Sequence, residues 1–396
     1  MINDRLALLR DYPFRRLNGL LKDVEPPRDV EPLVMSIGEP QHPYPDFVTE
    51  QLTKHAGLWS KYPPTNGTSE FRTAVKDWIT RRYSLPPDII EADRHVLPVA
   101  GTREALFAVA LLAVPTTKQR MRPTVLIPDP FYQIYSGAAI MAGAEPVYVP
   151  TTEETGFLPD FLALPADQLE RAALAYLCSP SNPQGAVASL NQLKGYVRLA
   201  RDLDFILATD ECYCEIYCGA PPPGIIEACA TDDGHLRNVI AFHSLSKRSN
   251  VPGLRSGFVV GDSDLIMDFA RLRQYTGGAS PGPILAAATS LWKDEAHVKA
   301  NRALYRDKFS DAEKIIGSHP HFYRPDGGFY LWLKVGDGEE TARRLWASAG
   351  VKVMPGAYLS REGGNPPGAA YIRLALVHDR AITTEALTRL ATHIQE

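Results

Sequence analysis

The sequence predicts an α/β fold, with a large domain on a mostly parallel seven-stranded sheet covered by helices and a smaller α+β domain beside it. Three observations carry that expectation. From about 95 to 262, short apolar segments alternate with helix-like stretches, as parallel strands buried on both faces require. Later in the chain, strands and helices alternate less strictly. Finally, 396 residues suffice for one large core and a smaller appendage. The expected boundaries are an N-terminal arm with part of the small domain over 1–50, a large domain over 51–290 and a C-terminal small domain over 291–396.

The elements follow in order. Residues 1–32 read as an arm, with a short helix over Asn3–Leu9 and a break at Glu25-Pro26-Pro27-Arg28. A short strand fits Leu33–Ile37, and helical periodicity fits Pro45–Leu58 and Ser69–Arg82. The rigid, turn-rich loop Lys61-Tyr62-Pro63-Pro64-Thr65-Asn66-Gly67 separates those two. The sheet strands are expected at Val96–Val99, Val125–Ile127, Pro146–Val149, Ala173–Cys178, Phe205–Ala208, Val239–Phe242 and Ser256–Val260. Helices fit Thr102–Ala113, Phe131–Met141, Leu190–Leu203 and Ser263–Arg273. Beyond a long helix at Asp294–Ile316 come strands His321–Arg324 and Phe329–Val335, helix Glu339–Ala349, strands Val351–Met354 and Ala370–Leu376, and helix Thr383–Gln395.

Composition narrows the function classes. The 45% hydrophobic and 22% charged residues are those of a globular protein. A net charge of −4 gives no sign of a nucleic-acid or anionic-membrane partner. The start, Met1-Ile2-Asn3-Asp4-Arg5, lacks the features of a signal peptide, and the longest apolar run, Ala105–Val114, is too short for a bilayer. The five cysteines show no zinc spacing, so a cytoplasmic protein with reduced thiols and no metal is expected.

Ligands of open α/β sheets bind beyond the carboxyl ends of the strands, so the residues that follow each strand matter most. After Phe242 come Ser244, Ser246 and Lys247, then Pro252-Gly253 and Arg255. A lysine whose surroundings lower its pKa forms Schiff bases, and hydroxyls with an arginine suit a phosphate. The rival reading is a solvated surface turn. Gly101-Thr102-Arg103 opens a helix whose free N–H groups can bind phosphate, or is a plain turn and cap. Asn182, bracketed by Pro180 and Pro183, offers a fixed amide or belongs to a proline-rich turn. Asp210 ends a buried strand, where a carboxylate needs a partner such as a protonated pyridine nitrogen, and Tyr213 lies three residues on. A helix N-cap is the alternative. Tyr132 offers a flat ring for stacking, or ordinary core packing. Arg373 stands among apolar strand neighbours and needs an anion: a substrate carboxylate or an internal Asp or Glu.

Phosphate donors, a stacking ring, an Asp for a pyridinium and a Schiff-base lysine together specify pyridoxal 5'-phosphate. Their order over nearly the whole chain resembles the class I/II aminotransferases of fold type I, with Ser256 the one departure in the lysine motif. Within that family the wording at 244–257, 101–107 and 294–299 is most similar to the succinyldiaminopimelate aminotransferases of bacterial lysine synthesis. The resemblance implies that Lys247 carries the cofactor and moves the substrate proton, and that Asp210 keeps the ring nitrogen protonated. It implies that Asn182 and Tyr213 bond the ring oxygen and that Tyr132 stacks on the ring. Gly101, Thr102, Arg103, Ser244, Ser246 and Arg255 would hold the phosphate, with Tyr62 reaching it from the partner of a homodimer. Arg373 would take the substrate α-carboxylate, helped by Gly38 and Asn182.

The implied reaction exchanges an amino group between N-succinyl-LL-2,6-diaminopimelate and 2-oxoglutarate or glutamate. The alternatives are transfer from aspartate, alanine or an aromatic amino acid, a β-lyase on the same cofactor, and a non-enzymatic module that keeps the fold. A second substrate carboxylate needs its own donors: Arg15, Arg16 and Lys22 of the arm are the favoured source, and Arg103 and Arg248 are the others, unless these two serve the phosphate or face solvent.

Overall fold

The computed structural model describes residues 2–394. Its strands are β1 (Leu33–Val34), β2 (Val96–Val99), β3 (Thr124–Asp129), β4 (Glu145–Pro150), β5 (Ala172–Cys178), β6 (Ile206–Asp210), β7 (Val239–Ser244), β8 (Gly257–Gly261), β9 (Tyr330–Lys334), β10 (Val351–Lys352), β11 (Met354–Pro355) and β12 (Tyr371–Ala375). Seven of them form one sheet in the order β2-β8-β7-β6-β5-β3-β4. Only β8 runs against its neighbours β2 and β7; the other pairings are parallel.

Alternate residues of these strands enter different apolar cores, as the two-residue period demands. Leu126 joins Trp78, Val197, Phe205, Ile225 and Trp292 on one face. Its neighbours Val125 and Ile127 join Val109, Tyr135, Phe242 and Phe269 on the other. Helices Ser69–Arg82, Leu190–Asp202, Ile225–Asp232 and Gly282–Lys293 cover the first face. Thr102–Ala113, Gln133–Ala142 and Ser263–Thr276 cover the second. Burying both faces explains why the strands read as near-continuous apolar runs.

A second, antiparallel sheet has the order β11-β12-β9. Its core combines Leu331, Leu333, Ile372 and Leu374 with Phe309, Leu345, Leu387 and Leu390, and Met35 from the N-terminal segment packs into it. Among the described residues no helix is long and apolar enough to cross a membrane.

Several expectations are corrected. Residues 321–324 form a loop with no strand partner among the described residues. The single strand expected at Val351–Met354 is two short ones: β10 pairs with β1, whereas β11 pairs with β12. Within Leu33–Ile37 only Leu33–Val34 is strand, and Pro45–Leu58 is helix Phe47–Lys54 followed by a 3-10 turn at Ala56–Ser60. Helix Pro13–Leu21 lies inside the supposed arm, buries Leu17 and Leu21, and starts on a proline suited to the first turn. Helix Gly282–Lys293 buries Leu285, Ala287, Ala288, Leu291 and Trp292, a spread too broad for an amphipathic stripe to mark it. The last helix is Arg380–Ile394, and Gln395 of the expected helix lies outside the described residues.

Candidate active site

The carboxyl ends of the parallel strands converge on one cavity of about 440 Å³. Lys247, Asp210, Tyr213, Thr102, Arg103, Tyr132, Asn182, Ser244, Ser246, Arg255, Gly38 and Arg373 all line it. Gly101 lies just behind, and a β-carbon there would fall 2.0 Å from Arg255 Nη2. Its φ of +92° adds a second reason for glycine. Tyr62 does not line the cavity and is fully exposed in the single chain.

Lys247 sits on the short turn Leu245–Arg248, opened by Ser244, whose Oγ accepts from the Ser246 N–H at 3.1 Å. Its ammonium donates to the Gly38 carbonyl. Burial lowers the amine to about 8; Cys212 and Glu39 oppose the shift, and the charges of Arg373 and Arg103 add to it. Gly38 is pressed on Tyr330, whose hydroxyl would lie 1.9 Å from an added β-carbon.

Asp210, at the end of β6, is 5% exposed. Oδ2 accepts from the Tyr135 hydroxyl at 2.8 Å and Oδ1 from the Cys212 N–H at 3.2 Å. Burial raises its pKa, opposed by those hydrogen bonds and by the charge of Lys247. Among the described residues no basic side chain hydrogen-bonds to this carboxylate.

The first residues of helix Thr102–Ala113 line the same cavity as Ser244 and Ser246, and Arg255 reaches this end of the helix, paired with Glu104 at 2.8 Å. Across the cavity, Arg373 is 4% exposed on β12. It donates to Asn182 Oδ1 at 3.0 Å and to the Ser36 carbonyl at 2.9 Å, and lies 4.3 Å over the Tyr330 ring. Its Nε is buried without a partner. Tyr213 meets Tyr330 hydroxyl to hydroxyl at 3.3 Å. Tyr132 accepts from Arg103 Nε at 2.6 Å, and burial, with Tyr12 nearby, raises its pKa.

Tyr135, Tyr330, Ser36 and Cys212 escape sequence reasoning. Tyr135 stands one helical turn from Tyr132, which is the one signal that could have found it. Of the candidate distal donors, Arg248 is corrected outright. It is buried between Trp78 and Trp292 and donates to the Leu291 and Asp294 carbonyls and to Glu295, away from the cavity. Arg15 pairs with Asp11 and Lys22 lies near Asp23, both exposed. Arg16 stacks on Tyr358 and lines an adjoining cavity of about 500 Å³. Arg103 alone of the five lines the central one.

The fold and this cavity define an aminotransferase. The family model for aminotransferase class I and II matches residues 30–390, and the chain belongs to that family. The LL-diaminopimelate aminotransferase of Aquifex aeolicus is 32% identical, covering 99% of this chain and 98% of its own. An aminotransferase structure from Neisseria meningitidis superposes with a TM-score of 0.95 at 39% identity, covering 99% of this chain and all of its own. The aminotransferase AspB of Helicobacter pylori gives 0.90 at 36%, covering 98% and 99%.

The family depends on pyridoxal phosphate and acts on amino acids and 2-oxo acids. The residues fit that cofactor: a buried carboxylate for a ring nitrogen, hydroxyls and an arginine around a helix N-terminus for a phosphate, and a lysine amine between them. The unpartnered Arg373 Nε, buried beside the same cavity, leaves a donor for a substrate carboxylate.

Proposed function

We propose that this chain transfers amino groups from a diaminopimelate-type donor, with Lys247, Asp210 and Arg373 as its central residues. The juxtaposition in one cavity of an amine lowered to about 8, a buried carboxylate and a guanidinium with a spare N–H carries the reading. Pyridoxal phosphate, when bound, supplies a carbonyl that condenses with amines and a ring that accepts electrons from the substrate α-carbon.

The chain's own residues do the rest. Lys247 would anchor the cofactor through its Nζ, and the same amine would take up and return the substrate proton. Asp210, held by Tyr135 and the Cys212 N–H, keeps the ring nitrogen protonated. Asn182 and Tyr213 would hold the ring oxygen and Tyr132 would pack on the ring, since all three line the cavity. The N-terminus of the Thr102 helix, with Gly101 and Arg103 N–H groups, Ser244, Ser246 and Arg255, holds the phosphate. Arg373 grips the α-carboxylate beside Asn182 and Gly38.

In this reading the active unit is a cytoplasmic homodimer, and the fully exposed Tyr62 reaches the phosphate of the partner's site. The large domain spans about 51–290, flanked by the arm and small domain.

For the donor we propose N-succinyl-LL-2,6-diaminopimelate, supported by the wording of the lysine motif. Unmodified LL-diaminopimelate is the second reading, favoured by the similarity to the LL-diaminopimelate aminotransferase of Aquifex. Following 2-oxoglutarate-dependent loss of each donor with purified holoenzyme decides between them. A higher kcat/KM for the succinylated compound supports the first reading, and a higher value for the unmodified one the second. If alanine, aspartate or phenylalanine outruns both, the diaminopimelate assignment fails. Pyruvate and ammonia released without an acceptor would instead mark a β-lyase.

A further inference from the structure

We propose that Lys308, His42 and Asn301 form a positioning relay that holds the substrate-carboxylate wall against the turn carrying Lys247. The proposal rests on the roles assigned above to Lys247 and Arg373.

Lys308, on helix Ala296–Ile316, is 1% exposed. Its ammonium donates to the carbonyls of Leu376 and His378, the latter at 2.7 Å, and to His42 Nε2 at 2.9 Å. Three donors thereby meet three acceptors. That arrangement fixes the ring of His42: Nε2 accepts, so the proton sits on Nδ1 and is donated to Asn301 Oδ1 at 2.9 Å. Asn301 Oδ1 also accepts from Asn250 Nδ2 at 3.1 Å. Its own Nδ2 therefore turns to the carbonyls of Lys247 and Arg248, at 3.3 and 3.4 Å. The donor-to-acceptor direction runs unbroken from a buried amine to the backbone of the lysine turn.

The same hub grips the wall opposite. Leu376 and His378 directly follow β12, which carries Arg373. His42 belongs to the segment 36–43, in which the Ser36 carbonyl accepts from Arg373 and the Gly38 carbonyl accepts from Lys247. Gln41 ties this segment to Val377 at 3.1 Å, and Asn250 ties it to the Pro43 carbonyl at 3.4 Å. The His42 ring rests on Tyr305 at 4.8 Å. Burial lowers Lys308 to about 7 with Asp379 opposing, so below that pH the amine offers all three N–H donors; burial and the charge of Lys308 lower His42 and keep its ring neutral.

The test uses holoenzyme and glutarate, a dicarboxylate that cannot transaminate. Glutarate binding and the pH midpoint are both read from the cofactor's visible band. Lys308→Met and His42→Phe are compared with Lys118→Met, because Lys118 also donates to three backbone carbonyls but does not line the cavity. The relay predicts that Lys118→Met lowers Tm and leaves both readings at parental values. Lys308→Met and His42→Phe should weaken glutarate about tenfold or more, shift the midpoint and raise KM more than they lower kcat. Should Lys308→Met not fold, His42→Phe, which keeps the ring on Tyr305, decides alone. Parental glutarate affinity and midpoint in His42→Phe would overturn the relay. A parent whose band ignores glutarate would sink the site reading, and the relay with it.

Discussion

The hydroxyl of Tyr135 lies 2.8 Å from Asp210 Oδ2 and, with the Cys212 N–H, gives this carboxylate its two hydrogen bonds among the described residues. Burial alone pushes Asp210 toward the neutral acid, which could not hold a pyridinium. The tyrosine favours the ionised form by donating to it. A hydrogen bond to a buried charge contributes about 1.5–3 kcal/mol. Tyr135→Phe should therefore lower kcat/KM and weaken cofactor binding by roughly 10–100-fold, while Tyr135 packing on Tyr176 survives as a phenyl stack. Equilibrium binding of pyridoxal phosphate and steady-state rates check this, and parental values for both would detach Tyr135 from the role of Asp210.

In its proposed role, Lys247 would have to be uncharged to attack a carbonyl. With its amine lowered to about 8, the rate at which apoenzyme captures pyridoxal phosphate should rise with pH and level off above about 8. An ordinary lysine would keep the rate rising toward about 10.4. Stopped-flow absorbance measures this rate. Borohydride reduction of Lys247→Ala should leave no cofactor on the chain, and a fixed cofactor would point to another lysine.

Much of the fold was legible because buried parallel strands write themselves as apolar runs. Val96–Val99 and Thr102–Ala113 fall at their expected limits. Residues after strand ends were legible for the same reason, since the sheet brings Asp210, Asn182, Tyr132 and Lys247 to one rim. What was not legible depends on long-range pairing. Nothing local says that Leu33 lies beside Val351, or that Met354 pairs with Arg373 on a different sheet. Arg248 adjoins the lysine in sequence, yet the turn sends it to Trp78 and Trp292, the opposite way. Tyr330 reaches the site only because β9 lies beside β12.

Glu211, next to Asp210, is 2% exposed and does not line the cavity. It accepts from the Ile225 N–H at 2.8 Å and from Tyr83 at 2.9 Å, and stands 3.3 Å from His243. Burial nonetheless raises its pKa to about 7, and burial keeps His243 neutral by lowering it to about 3. The native protein thus holds a proton here that the unfolded chain has already released. Stability from this group is lost as pH rises from about 4.3 to 7, by a total on the order of 3 kcal/mol. Glu211→Gln retains an acceptor for Ile225 and removes the titration. Urea unfolding at pH 5 and pH 8 should show a smaller loss in Glu211→Gln than in the parent. Equal losses would mean that Glu211 ionises normally in the native state.

Arg103 lines the candidate cavity, with its Nε on the Tyr132 hydroxyl at 2.6 Å. The terminal N–H groups of its guanidinium have no hydrogen-bond partner among the described residues. By contrast, Arg255 is engaged by Glu104 and Arg373 by Asn182 and Ser36. A fork held at one nitrogen and free at the others suits a carboxylate that arrives with the substrate. Glutamate, 2-oxoglutarate and both diaminopimelate compounds carry a second carboxylate, whereas alanine does not. Removing one partner of such a pair costs about 2–5 kcal/mol. Arg103→Met should therefore lower kcat/KM for glutamate by about 30-fold or more and change that for alanine much less. The backbone N–H of residue 103 survives the substitution, so the phosphate keeps that donor and cofactor affinity should hold. Equal losses for glutamate and alanine would instead place Arg103 in the service of the cofactor, and the second carboxylate would have to be met elsewhere, with Arg16 on the adjoining cavity the next side chain to replace.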